Sequence, residues 1–172
     1  TALPNYREFD DGRYFHSTTK LQLELPGTPS LKELLQPVAV TIRGQEVKLG
    51  IMLCEDGWTE NYYYNIPQLL CNISCSPYTF HKNVKRHRIF AAQAKECGIP
   101  LVYCNSVGVQ NSGKNIFTFD GCSTFYSADG QSRSDAPAFQ ETLLTAQFDP
   151  AARQLELNKA PEPEFSDAKE IY

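Results

Sequence analysis

The chain has 172 residues, 41% hydrophobic and 12% aromatic, enough for one domain with a real core and too few for two. A formal net charge of −4 argues against a generally basic nucleic-acid surface. No apolar run approaches the roughly 20 residues that span a bilayer, and the polar opening TALPNYREFDDGRYF has nothing of a signal peptide.

In chain order, Pro4 sets a turn with no strand or helix before it, so the sequence reads as starting in the middle of a larger unit. Residues 16–37 read as a surface excursion: the alternating strand LQLEL, a Pro-Gly turn, then a helical turn or two over 30–35. VAVTIRGQEVKLGIMLCED reads as a hairpin turning at Arg43-Gly44-Gln45. In its second strand Val47, Leu49, Ile51 and Leu53 alternate with Lys48, Gly50 and Met52, a largely buried pattern that stops at Cys54-Glu55-Asp56-Gly57. TENYYYNIPQLLC predicts a short helical segment broken near Pro67, and LLCNISCS a strand. Residues 83–97 predict a helix with Val84, Ile89, Phe90, Ala91, Ala92 and Ala94 on its apolar side and Lys85, Arg86 and Arg88 opposite, stopped by Gly98 and Pro100. PLVYCNSVG is another buried strand, 116–128 is alternating and aromatic, ADGQ is a hairpin turn, and ETLLTAQFD is a further strand. The tail KAPEPEFSDAKEIY is a proline-bearing linker. This order indicates an α/β layered domain.

Six cysteines could make three disulfides, but a chain of this size holds together without them. Cys71, Cys75, Cys97 and Cys104 lie in apolar settings where a thiol packs as a small hydrophobe, so a reducing, cytoplasmic compartment is expected. Cys54 has two readings: a core cysteine closing a strand, or a nucleophile presented at a tight polar turn. The second needs a cation or base to make thiolate, and Glu55 and Asp56 work against it. His16, His81 and His87 sit in no recognisable papain-like signature. Cys71-x-x-x-Cys75 with His81 is poor zinc spacing. HKNVKRHR reads as a solvated helix face, and GVQNSGKN lacks P-loop spacing.

Four ordered stretches resemble the nitrilase, or carbon–nitrogen hydrolase, superfamily, and within it the glutamine-hydrolysing domain of glutamine-dependent NAD synthetases. LGIMLCEDGW is similar to the nucleophile strand with its Cys-Glu-Asp-x-Trp run. LLCNISCSPYTFHKNVKR resembles the Asn-x-Ser-Ala-Ser-Pro strand-to-helix segment, with Cys75 in place of alanine and His81 where glycine is expected. PLVYCNSVGVQNSGKNIFTFDGCSTFYSADGQ is similar to the stretch that follows, and LPNYREFDDGRYF to the segment after the family's catalytic lysine.

The resemblance implies part of an α-β-β-α sandwich, the nitrilase-like fold, with the N-terminal part of the domain absent. Residues 1–150 would be the C-terminal part of a glutaminase domain, and 151–172 a linker towards an absent synthetase domain. It implies Cys54 as nucleophile, Glu8 as the superfamily's second glutamate, and Glu55 and Tyr6 as candidates for holding the two ends of glutamine. The catalytic lysine would lie just before Thr1 and the general-base glutamate further upstream. The Cys54 thiol would attack the glutamine amide, forming a thioester and releasing ammonia for NAD synthesis. The hydrolase domain would need no cofactor; ATP and Mg2+ would serve the synthetase domain. Implied partners are glutamine, the N-terminal half of the same domain, the synthetase domain and further copies of the chain, with no nucleic acid or membrane. Isolated, such a chain would expose an apolar sheet face and lack activity. The alternatives are a nitrilase-family amidase of other specificity and a non-catalytic, interface-forming remnant.

Overall fold

The computed structural model describes residues 3, 11–29, 33, 36–58, 67–111, 113, 115–131 and 133–157. Its centre is a six-stranded mixed sheet. β1 (Val38–Ile42) and β2 (Gln45–Leu53) form the expected hairpin, with Ile42 opposite Gln45. Arg43 (φ 51°) and Gly44 (φ 79°) make the two-residue turn, whose left-handed conformation matches the twist of the strands. β2, β3 (Leu69–Ser74) and β4 (Leu101–Asn105) run parallel, and α2 (Lys82–Cys97) connects the last two. β7 (Thr124–Tyr126) and β8 (Arg133–Asp135) complete the sheet in the order β1-β2-β3-β4-β7-β8. β5 (Val107–Asn111) pairs with β6 (Ile116–Asp120), and β9 (Ala146–Asp149) with β10 (Gln154–Leu157), as separate antiparallel ribbons.

The core lies between this sheet and α2. Met52, Leu70, Leu101, Tyr103 and Tyr126 point from four strands towards Phe90 and Ala94 of the helix. The opposite face is bare among the described residues: Ile51, Leu53 and Ile73 are 43%, 47% and 54% exposed. The alternation Val47, Leu49, Ile51, Leu53 therefore does not mark a buried strand end. Met52, of the other parity, is the residue sealed against the helix.

Other expectations change as well. LQLEL is not a strand: α1 (Thr18–Glu24) covers most of it, because Ser17 accepts the Lys20 N–H as an N-cap and Lys20 and Glu24 pair one turn apart at 3.8 Å. Of ETLLTAQFD only the last four residues are strand, and β10 falls within the stretch read as linker from 151. On α2 the buried stripe is Arg86, Phe90 and Ala94, whereas Val84 is 69% exposed. Cys75, Cys97 and Cys104 are exposed; Cys122 is the buried cysteine, and all six are free. His81 adopts φ 62°, the left-handed conformation that a glycine takes without strain, directly before α2. The helical segment expected before Pro67, the one at 30–35 (except Glu33) and the tail from 158 lie outside the described residues.

Arg86 is buried because it is paired. Its Nη1 and Nη2 donate to the two oxygens of Asp120 at 3.1 and 3.2 Å, Nη1 also donates to Asn83 Oδ1 at 2.8 Å, and the guanidinium lies 4.9 Å from the Tyr103 ring centre. Removing one partner of such a pair leaves an uncompensated buried charge. Asp120→Ala is therefore expected to destabilise the protein by about 3–5 kcal/mol, with an Arg86→Met, Asp120→Leu double substitution regaining most of it. Urea unfolding of the three proteins checks this.

Candidate active site

β2 ends at Leu53 and the backbone turns at once. Cys54 has φ 43° and opens a tight 3-10 turn, Cys54–Trp58. Four contacts impose the turn. The Leu53 N–H donates to Asp56 Oδ2 at 3.0 Å, Asn72 Nδ2 donates to the Cys54 carbonyl at 3.3 Å, Gln93 Nε2 donates to the Gly57 carbonyl at 2.9 Å, and Trp58 packs on Phe90 with ring centres 6.0 Å apart. Gly57 lies against Asn72 and Phe90; a β-carbon there would overlap the Asn72 amide and stand 2.7 Å from Phe90 Cε1. The turn is thus built on α2 and β3 as much as on its own residues.

The Cys54 sulfur is half-buried at this elbow. Burial pushes its pKa up, and the negative Glu55 beside it adds to the rise. The backbone N–H of Cys75 and the ammonium of Lys82 act in the opposite direction. The Ser74 hydroxyl acts in the same direction as these two. No histidine is among these groups: His16 pairs with Glu24 at 3.1 Å, His87 meets the Tyr126 hydroxyl at 2.9 Å, and His81 meets Phe80 edge to face. Among the described residues no cluster of His, Cys, Asp and Glu could hold a metal ion, and no helix is long and apolar enough to cross a membrane.

Lys82, the first residue of α2, is the cation at the site. Its Nζ donates to the Pro77 carbonyl at 2.9 Å and lies 5.7 Å from the Trp58 ring centre, with Lys85 Nζ at 5.5 Å. Burial and the nearby Arg86 lower its pKa, while Cys54, Asp120 and Glu55 hold it up. The structure thus gathers Cys54, Glu55 and Lys82. Glu8 and Tyr6 lie outside the described residues. Sequence reading placed Lys82 on a solvated face and did not single out Asn72 or Ser74. The signal for those two was polarity at alternate positions on the buried face of an otherwise apolar strand.

The carbon–nitrogen hydrolase family profile matches residues 6–155. Among curated proteins the chain is 28% identical to glutamine-dependent NAD(+) synthetase of Synechocystis sp. and 31% identical to that of Acinetobacter baylyi. Each match covers 99% of this chain, and 29% and 28% of the relative. The chain therefore spans less than a third of these relatives. Among solved structures, glutamine-dependent NAD+ synthetase from Acinetobacter baumannii superposes on 93% of the chain, and 27% of its own, with a TM-score of 0.69 and 27% identity. A carbon–nitrogen hydrolase from Helicobacter pylori shares the fold: TM-score 0.61 at 22% identity, over 81% of this chain and 47% of that one.

Because Gly57 has no room for a side chain, Gly57→Ala must displace the Asn72 amide or the Phe90 ring. The expected result is a loss of about 1–3 kcal/mol of stability, as for overpacking elsewhere, together with altered reactivity of Cys54. Urea unfolding combined with the rate of Cys54 alkylation checks both.

Proposed function

The chain belongs to the carbon–nitrogen hydrolase family, and from that premise we propose that it carries the nucleophile of a glutamine amidohydrolase that supplies ammonia for NAD synthesis. The observation that carries this reading is the left-handed elbow at Cys54, flanked by a cation, Lys82, and an anion, Glu55. An amino-acid substrate has one charged group of each sign at one end, and this pair complements them.

In this reading the Cys54 sulfur bonds to the side-chain amide carbon of glutamine, and the carbonyl electron pair moves onto oxygen. The N–H that follows Cys54 stabilises that oxyanion, together with the lysine expected before Thr1. Collapse of the intermediate expels ammonia and leaves a thioester, which water cleaves to glutamate. Glu55 holds the α-amino group, and Lys82 and Tyr6 the α-carboxylate. Glu8 charges against the upstream lysine, and an upstream glutamate is the general base. None of these steps uses a cofactor. ATP and Mg2+ belong to the synthetase reaction, whose Ser-Gly-Gly-x-Asp loop is not in these residues. The bare sheet face at Ile51, Leu53 and Ile73 is where the remainder of the hydrolase domain packs to complete the α-β-β-α sandwich. The complete protein is a cytoplasmic oligomer.

In the complete protein, Cys54→Ala is expected to abolish glutamine-dependent NAD formation and leave ammonia-dependent formation intact. Loss of both together would identify Cys54 as structural. Lys82→Met is expected to raise the KM for glutamine on the order of 10–100-fold, the loss of one hydrogen bond to a charged group. An unchanged KM would remove Lys82 from the substrate site. Hydrolysis of short aliphatic amides in preference to glutamine would favour an amidase of other specificity.

A further inference from the structure

β1 is one edge of the six-stranded sheet and β8 the other. β8 is blunted, being three residues long with Arg133 and Asp135 at its ends. β1, Val38-Ala39-Val40-Thr41-Ile42, carries no charge, no proline and no bulge, and its register with β2 runs unbroken over five pairs. Hydrogen-bond direction alternates along β2. Lys48 spends its N–H and its carbonyl on Gln68, on the β3 side, so Gln45, Val47 and Leu49 turn theirs to β1. Their level partners Ile42, Val40 and Val38 are used in that ladder. The N–H and C=O of Ala39 and Thr41 therefore point outwards, and among the described residues nothing pairs with them.

We propose that this edge is a contact between two copies of the chain, paired antiparallel about a two-fold axis at Val40. Only that register uses all the outward groups. Centred there, Ala39 of each copy exchanges both bonds with Thr41 of the other. Centred on Ala39, Thr41 would face Pro37, which has no N–H. Centred on Thr41, Ala39 would face Arg43, which the turn has taken out of the strand. The side chains agree. On one face Val38 meets Ile42 and Val40 meets its own copy, β-branched pairs that suit a ladder; Val38 and Ile42 are exposed in the single chain. On the other face each level row reads Lys48, Ala39, then Thr41 and Glu46 of the second copy. Opposite charges thus end each row, their Cα atoms about 14 Å apart, with only two short side chains between them. The contact is independent of the chemistry at Cys54 and names a surface for the oligomer proposed above.

The test uses the complete protein. At the axis Val40 pairs with itself between hydrogen-bonded pairs, where Cα atoms stand about 4.5 Å apart, within reach of a disulfide. Val40→Cys is therefore expected to link two copies on mild oxidation by diamide, with the linked peptide located by mass spectrometry. Val38→Cys is expected not to, because its two copies lie about 14 Å apart. Thr41→Pro removes an outward N–H and leaves the β1–β2 ladder whole. In sedimentation velocity it is expected to halve the assembled mass, with association weakened about tenfold or more. No link in Val40→Cys, equal linking by both cysteine variants, or a folded Thr41→Pro protein with unchanged assembly would overturn the proposal and leave the oligomer to another surface. A parent protein that is monomeric at every concentration would overturn the edge contact and the oligomer together. If Thr41→Pro does not fold, the two cysteine variants decide. None of these outcomes bears on Cys54 as nucleophile, so the failures are distinguishable.

Discussion

A guanidinium fully out of water is tolerable only while a carboxylate neutralises it, and Arg86 meets that condition through Asp120, to which both terminal nitrogens donate while Nε has no hydrogen-bond partner among the described residues. The pair does more than cancel charge. Asp120 Oδ1 also accepts from Asn105 Nδ2 at 3.2 Å, and Asn105 Oδ1 accepts the Ser76 N–H at 2.8 Å. One network thus joins α2, β6, β4 and the loop leaving β3. Lys82 sits one helical turn before Arg86, so the same network sets where the site's cation stands relative to Cys54. It also sets the character of that cation, because the neighbouring guanidinium makes Lys82 less willing to hold its proton. Residues far from Cys54 in sequence therefore help to set the charge that stands beside its sulfur.

Two non-glycine residues in the left-handed region bracket the site: Cys54 at φ 43° and His81 at φ 62°. Each conformation costs roughly 1–2 kcal/mol for an L-residue. At Cys54 the surroundings over-determine the strain, through Asp56 on one side and Asn72 on the other, as expected where a side chain must be presented rather than packed. His81 has no side-chain cap bond to offset its strain. What it gains is position: α2 starts at Lys82 and not a residue later, and that start brings the ammonium to the elbow.

Period and punctuation made much of the fold legible. The Arg43-Gly44 hairpin, the apolar strands at 69–74 and 101–105 and the Gly98 stop of α2 were readable because each is a local decision. What was not readable depended on partners distant in sequence. Arg86 looks like a solvated charge until Asp120 is brought to it from 34 positions away. Val84 looks like core until the helix is rotated to bury that arginine. Ile51 and Leu53 look buried because the pattern records a face to be covered, not what covers it. At the site, the Cys-Glu-Asp-x-Trp run singled out Cys54 and Glu55. Lys82, Asn72 and Ser74 stood outside that run, and their roles come from the register between strands.

That register explains why the chemistry sits where it does. β2, β3 and β4 are parallel and in step, with Leu53 level with Ile73 and Cys104, and Ser74 level with Asn105. On the helix-facing side the strands change character near one height: Met52 gives way to Cys54 and Tyr103 to Asn105, while β3 changes one step earlier, at Asn72, which is level with Met52 and Tyr103. Below that line the side chains need α2 for burial; above it they need hydrogen bonds. The line falls at the carboxyl ends of the parallel strands, where α/β sheets leave room for a ligand because the chain turns away into loops and helix starts. Asn72 lies on the boundary, buried among apolar neighbours yet spending both halves of its amide on the polar side. A leucine there would pack against the core but remove the donor to the Cys54 carbonyl and the acceptor of the Ser74 proton. The polar residue in β3 is thus the point at which the packing of the sheet becomes the geometry of the sulfur.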